Sequence, residues 1–168
     1  MRARLHGRHG NTVDVEPVFN GNAEAIDIPT GATVQLNLTD PDSMTVDPGG
    51  NIVFTSQADG ELIFVRNPLT ANQVIGRLSI TAGGAMTTLD DTAFAPAGAA
   101  YMLFTDVSGD TIYRLDRGSF GFEPGTAYSA SDTTGVLGVL NTDTGVVTSI
   151  GTGFQSLRGI AFVTPIDF

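Results

Sequence analysis

Two segments of this chain repeat the same arrangement of short apolar runs, and that repeat limits the available folds more than any other feature. The segment MTVDPGGNIVFTSQADGELIFV (44–65) aligns with TAFAPAGAAYMLFTDVSGDTIYRL (92–115), so that Phe54 falls on Phe104. Each copy contains three runs of alternating apolar and polar residues that are separated by turn sequences such as DPGG and ADG. This is the pattern of three antiparallel strands joined by short turns. The repeat therefore predicts a β-meander that occurs twice.

The two ends of the chain are also similar to each other. The stretch AIDIPTGATVQLNL followed by DSMTVDP resembles GVLNTDTGVVTSIG followed by LRGIAFVTP. Almost no window has the apolar spacing of a helix, and the 21 glycines and 8 prolines fall at plausible turns between strands. The sequence therefore predicts an all-β protein.

Repeats of forty to fifty residues, each an up-and-down sheet, are typical of β-propellers. The predicted fold is a propeller of four-stranded antiparallel blades, with about three to four blades per chain. The strands are predicted at 12–19, 24–28 and 33–38 for a partial first blade, at 42–47, 51–56, 61–66 and 74–80 for the second, and at 90–95, 100–105 and 111–116 for the third. A final strand at 158–163 is expected to supply the inner edge of the first blade, so that the ring closes without an exposed edge.

The domain organisation follows from this count. The first ten residues, MRARLHGRHG, form a predicted basic tail, and residues 11–168 form one propeller or partial propeller. Because the smallest usual ring has about four blades, we expect a half-ring that a second copy completes in a homodimer. A very small propeller and a fragment of a longer protein are the alternatives.

Charge and composition exclude several classes of function. Acidic residues outnumber basic ones 18 to 8, and the net charge of −10 repels phosphate backbones and anionic lipids, so neither nucleic acid nor a membrane is an expected partner. The chain has no cysteine, which excludes disulfides, thiolate zinc sites and cysteine nucleophiles. No apolar stretch of a signal peptide follows the basic start, and no run is long enough to span a bilayer, so a cytoplasmic location is the default expectation.

The internal repeat also aligns charged residues. Placing Val46 on Phe94 brings Asp42 onto Asp90, with Asp91 one position further along. The matching position in the final strand is Arg158. An arginine there could pair with a carboxylate or orient a substrate carbonyl. The repeat therefore predicts that charged side chains from different blades lie at equivalent places.

The segment PDSMTVDPGGNIVFTSQADGELIFVRNPLTANQVIGRLSI (41–80) resembles the gluconolactonase and senescence-marker family of calcium-dependent propeller lactonases, whose pattern is approximately P-D-G-M-x-V-D-x-x-G-N-I. The resemblance implies that Asp42 binds a divalent metal at the mouth of the central tunnel. The glycine of the family pattern is replaced here by Ser43, while Asp47 is assigned to a turn.

A calcium ion takes six to eight oxygen ligands. The predicted ligands are Asp42, Asp90, Asp91, Glu24 and Asn22, with Asn51 as an alternative to the last two. Zinc is not expected, because both histidines, His6 and His9, lie in the basic tail and no zinc-binding spacing exists.

The implied reaction is the hydrolysis of a lactone ring by a metal-activated water, with Asp42, Asp90 and Arg158 as the catalytic residues. The substrate is a small lactone, either a sugar lactone or an N-acyl homoserine lactone. The alternative is a non-catalytic binding module, or a fragment of a larger secreted propeller protein.

Two further groups are assigned structural roles. The phenylalanines are expected to pack between blades rather than form a substrate site; they are Phe54, Phe64, Phe94 and Phe104. The segment TAYSASD (126–132) is interpreted as a polar strand face, because no histidine outside the tail could complete a serine triad.

Overall fold

The computed structural model describes residues 3–6, 12–116, 118 and 121–165, and this part of the chain contains β-strands and no helix. The strands are β1 (Ala3–His6), β2 (Thr12–Val15), β3 (Glu24–Asp27), β4 (Thr33–Gln35), β5 (Pro41–Val46), β6 (Ile52–Ser56), β7 (Glu61–Arg66), β8 (Val74–Ser79), β9 (Thr81–Ala82), β10 (Ala85–Met86), β11 (Asp91–Phe94), β12 (Tyr101–Asp106), β13 (Thr111–Asp116), β14 (Ala127–Ser131), β15 (Val136–Leu140), β16 (Val146–Gly151) and β17 (Leu157–Val163). The all-β prediction is confirmed. Within the described ranges, nothing has the helical length and apolarity needed to cross a bilayer.

The strands form three larger sheets and one separate hairpin. Sheet I has the order β4-β3-β8-β7-β6-β5, sheet II has the order β10-β9-β16-β15-β14-β11, and sheet III has the order β13-β12-β17. Strands β1 and β2 pair only with each other among the described residues. In the same part of the chain, the sheets do not close into a barrel or a ring.

Strands β5 to β8 form an antiparallel meander at the positions predicted for the second blade. Its first turn is stabilised by Asp47, whose Oδ1 accepts hydrogen bonds from the backbone N–H groups of Gly49 (2.8 Å) and Asn51 (2.9 Å). Such Asx-type turns close within a few residues of the chain. The local sequence was therefore sufficient to predict this part of the sheet.

Strands β2, β3 and β4 do not form a separate first blade, which corrects the prediction for 12–19, 24–28 and 33–38, because β2 ends at Val15 and pairs with β1. Strand β3 pairs in parallel with β8 and so extends sheet I. Arg77 lies at this seam, where its Nη1 is 3.0 Å from Asp27 and its Nε is 2.7 Å from Glu61. The buried ends of these side chains link β3, β8 and β7, which explains why β3 joins sheet I.

The predicted third blade is wrong. Strand β11 pairs with β14, while β12 and β13 form sheet III together with β17. The chain leaves sheet II at Pro96, which has no N–H to continue a strand ladder, and Ala100 then donates a hydrogen bond to Val163 (2.9 Å) in sheet III. The repeat identified the strands correctly, but strand pairing is decided by partners that are distant in the sequence.

Strand β17 was also assigned to the wrong neighbour. It was expected to complete the first blade, but it pairs with β12 in sheet III. The segment 126–132 is not a polar strand face either, because every residue of β14 is buried between its neighbours. Of the predicted tail, residues 3–6 form β1, while His9 lies outside the described residues.

Sheet II lies between sheets I and III, and apolar side chains fill both spaces. Leu62 and Leu78 of sheet I pack with Leu140 of sheet II, while Met102 of sheet III packs with Tyr128 on the other side. The face of sheet I that points away from sheet II is covered by side chains from the segment 18–38, which includes β3 and β4 of the same sheet. Two of the three sheets are therefore covered on both faces.

Candidate functional site

The predicted site residues lie where the three sheets approach one another. Strand β11 contacts both β5 and β17, and these three strands are at the edges of their sheets. Asp42 is on β5, Asp90 and Asp91 are at the start of β11, and Arg158 is on β17. The structure therefore brings together the charged residues that the internal repeat placed at equivalent positions.

A bulge in β5 determines how Asp42 is presented. The register between β5 and β6 shifts between Pro41 and Met44, which turns the intervening residues out of the regular ladder. The Ser43 hydroxyl donates a hydrogen bond to the Asp90 carbonyl oxygen (2.7 Å) and lies 3.2 Å from the Thr55 hydroxyl. Ser43 thus holds β5 against β11, a role that the sequence analysis missed.

Arg158 lies between two carboxylates. Its Nη1 is 3.6 Å from Asp90 Oδ1, and its Nη2 is 3.6 Å from Asp132 Oδ2. Asp90 is largely buried, with 10% of its side chain exposed, whereas 48% of the Arg158 side chain is exposed. Asp132 follows β14 and was not predicted as a site residue; its proximity depends on the unpredicted pairing of β14 with β11.

The surroundings alter the acidity of two of these carboxyl groups. Burial raises the pKa of Asp90, the positive charge of Arg158 opposes this, and the charges of Asp42 and Asp132 raise the pKa further. Burial also raises the pKa of Asp91, although its carboxylate accepts hydrogen bonds from the backbone N–H groups of Ile160 (2.6 Å) and Thr92 (2.8 Å). Asp90 is therefore a better proton acceptor than an ordinary aspartate once it is ionised.

Asp42 also lines a pocket of about 480 Å³. The other side chains of this pocket are mainly apolar and include Phe19, Leu38, Met44 and Phe54. Phe54 was assigned to packing between blades, and it does pack against Phe19, with ring centroids 5.4 Å apart, but it also forms part of the pocket wall. The loop that carries Phe19 has no regular pattern from which the sequence could have predicted this pocket.

The structure does not bring Glu24 or Asn51 to Asp42, whereas Gly21, the residue before Asn22, lines the same pocket as Asp42. Glu24 is on β3, four strands away from β5 in sheet I, which corresponds to roughly 19 Å at the usual strand spacing. The Asn22 carbonyl oxygen accepts a hydrogen bond from the Gln35 side chain. Asn51 donates its side-chain N–H to Asp47 (2.7 Å) within the turn. Of the predicted ligands other than the aspartates, Glu24 is too far away and Asn51 is engaged in its own turn, while Asn22 stays a prediction.

The aspartates near Arg158 offer some of the oxygen ligands of a calcium site, but not a full set. Asp132 Oδ1 is buried and has no hydrogen-bond partner among the described residues, and carboxylate oxygens are the donors that calcium prefers. However, no three metal-binding side chains in the described part of the chain converge on one point, and Asp91 uses both oxygens for backbone N–H groups. A calcium ion here would be held by Asp42 and Asp90, with water as the remaining ligands.

A search with this chain matched no protein-family model, no curated protein and no solved structure.

Proposed function

We propose that the three stacked sheets are blades of an incomplete β-propeller and that a second copy of the chain completes the ring. The support is that β5, β11 and β17 lie side by side at one edge of the stack. The outer face of sheet III also remains exposed and apolar, with Ile112 71% exposed beside Leu103 and Ala161. A sheet of a second copy would continue the stacking that joins sheets I, II and III.

This assembly predicts a particle of twice the mass of the chain, measured by light scattering behind size-exclusion chromatography. Substituting Ile112→Glu should yield the monomer, because it places a charge in the proposed interface. Val107→Glu is the control, since Val107 is 60% exposed but does not line this apolar face. A wild-type monomer at all concentrations tested would contradict the dimer.

We further propose that the protein hydrolyses lactones at the site formed by Asp42, Asp90 and Arg158. The observation that carries this proposal is the position of a buried carboxylate, Asp90, beside a half-exposed guanidinium, Arg158. Hydrolysis of a lactone needs a base for the attacking water and a positive group for the carbonyl oxygen, which becomes negatively charged in the transition state. This pair supplies both.

Each residue then has a distinct role. Asp90 accepts the proton of the water as the water oxygen attacks the carbonyl carbon, and it returns that proton to the ring oxygen as the bond between the carbonyl carbon and the ring oxygen breaks. Arg158 donates hydrogen bonds to the carbonyl oxygen, while Asp132 keeps the guanidinium in place through its ion pair (3.6 Å). Asp42, at the rim of the apolar pocket, contacts the substrate beside the ring.

Calcium dependence belongs to the same proposal. Asp42 and Asp90 are the carboxylates that would hold the ion, and the ion when bound would supply a second positive charge near the carbonyl oxygen. Because only two carboxylates would hold it, we expect an affinity at the weak end of the range for protein calcium sites.

The test is the hydrolysis of gluconolactone, γ-butyrolactone and an N-acyl homoserine lactone, followed in a pH-stat. We expect hydrolysis above the spontaneous rate, loss of activity with EGTA, and recovery with added calcium. Activity that is unchanged by EGTA would overturn the role of calcium but not that of the side chains. Failure to hydrolyse any of the lactones with calcium present would overturn the lactonase proposal and favour a non-catalytic binding module.

A further inference from the structure

Asp42 connects the apolar pocket with the charged site, because it lines the pocket and the next residue, Ser43, donates a hydrogen bond to the Asp90 carbonyl oxygen (2.7 Å). The charge of Asp42 also acts on Asp90 and Asp91. A volume of about 480 Å³ is within the usual range for small-molecule sites, about 300–1,000 Å³. One molecule can therefore occupy the pocket with an apolar part while its polar part reaches the carboxylates and Arg158.

The wall of the pocket is held in place by packing. Phe54 is buried on β6, Phe19 packs against it at an interplanar angle of 32° from the loop before β3, and Leu38 packs on the same cluster. Met44 is 75% exposed, directly after the bulge that presents Asp42. An exposed, flexible methionine beside rigid aromatic rings is suited to contact an apolar chain.

We propose that this pocket binds the acyl chain of an N-acylated lactone whose ring lies at Asp42, Asp90 and Arg158. This inference rests on the proposed lactonase function and specifies its substrate class. The apolar wall buries methylene groups, whereas a sugar lactone would place hydroxyl groups against side chains that cannot form hydrogen bonds with them.

The negative charges around the pocket favour the binding of a neutral acyl group over that of a free fatty acid. Asp42 at the rim, with Asp90 and Asp132 nearby, repels a carboxylate. The lactone is uncharged on its ring, but hydrolysis opens the ring and leaves a carboxylate in the same place. Because Arg158 lies where the ring opens, this repulsion applies to a free carboxylate in the pocket beside Asp42 rather than to the opened ring.

The first test compares homoserine lactones that carry butanoyl, hexanoyl, octanoyl and decanoyl chains. We expect kcat/KM to rise about two- to fourfold per methylene buried until the pocket is filled. The Met44→Gln variant should lower the ratio of the decanoyl to the butanoyl value by about threefold or more. Met86→Gln is the matched control, because Met86 is 71% exposed on β10, does not line the pocket, and should leave the ratio unchanged.

A second measurement does not depend on catalysis. Displacement of an environment-sensitive fluorescent dye gives the Kd of each acyl homoserine lactone and of decanoate, and we expect decanoate to bind more weakly than the neutral decanoyl compound. Hydrolysis without any dependence on chain length would overturn this inference and leave the lactonase function intact. Binding that depends on chain length and is weakened by Met44→Gln, without hydrolysis, would support the acyl pocket and overturn the lactonase. Neither hydrolysis nor binding would overturn both.

Discussion

Replacing Gly145 by alanine is expected to lower the free energy of unfolding by about 4 kcal/mol or more. Gly145 has a φ of 75°, and a Cβ there would lie 1.9 Å from the carbonyl oxygen of Ser79. Ser79 ends β8, and the Gly145 carbonyl accepts a hydrogen bond from Thr81 (2.9 Å). The added methyl group would therefore separate sheets I and II at the point where their backbones meet. Urea unfolding of the wild-type and variant proteins measures the loss.

Gly31 provides a matched control for this experiment. Its φ is 72°, and its N–H donates to Asp27 (2.8 Å), as the N–H of Gly145 donates to Asn141 (2.8 Å). A Cβ at Gly31 meets nothing within 4 Å, so Gly31→Ala should cost only the backbone strain of about 1–2 kcal/mol. Equal losses for the two variants would show that sheets I and II do not approach each other in this way.

The Asp90→Asn variant should have a kcat/KM for lactone hydrolysis about 10²–10⁴-fold lower than that of the wild type. The substitution preserves the size of the side chain but removes its ability to accept a proton. Asp110→Asn is the control, because Asp110 is exposed in the turn before β13 and its φ of 47° is well tolerated by asparagine. Activity of Asp90→Asn within a few-fold of wild type would rule out Asp90 as the base.

The pH dependence provides an independent readout for the same variant. Because burial raises the pKa of Asp90, the activity of the wild type should fall as the pH decreases through a value above 3.8, the ordinary pKa of an aspartate. The effect of pH on stability has the opposite sign. The folded protein favours the neutral form of Asp90, so this group stabilises the fold at low pH, and the stabilisation is lost as the pH rises. The stability of Asp90→Asn relative to wild type should therefore increase from about pH 4 to neutral pH, as measured by urea unfolding.

The sequence predicted local structure better than the arrangement of the sheets. Strands β5 to β8 were found because their turns are encoded within a few residues, as in the DPGG turn that Asp47 stabilises. The pairing of β11 with β14 could not be found in the same way, since the 32 residues between Phe94 and Ala127 include two strands that belong to sheet III. A repeat indicates which segments are strands, but packing decides which of them are neighbours.

In the candidate site, too, the sequence predicted residues that follow from the strand pattern and missed residues whose position depends on distant contacts. Alignment of the repeats grouped Asp42, Asp90 and Arg158 correctly, because equivalent strands place equivalent residues at the same edge of the stack. Asp132 was missed, since its position depends on the non-local pairing of β14. Phe19 was missed because it lies in an irregular loop and contributes through its shape.

Strands β12 and β13 of sheet III lie between β11 and β14 of sheet II in the sequence. This arrangement determines the order in which the protein can acquire its structure during synthesis. All strands of sheet I precede residue 80, so that sheet can assemble as soon as this part of the chain has left the ribosome. Strand β11 must wait for β14, and β12 must wait for β17, the last strand that the structure describes. Until then β11 and one edge of β12 lack their partners, and unpaired strands of this kind are prone to aggregation. We therefore expect sheet I to form first, and the pairing of sheets II and III to be completed only after β17 has been synthesised.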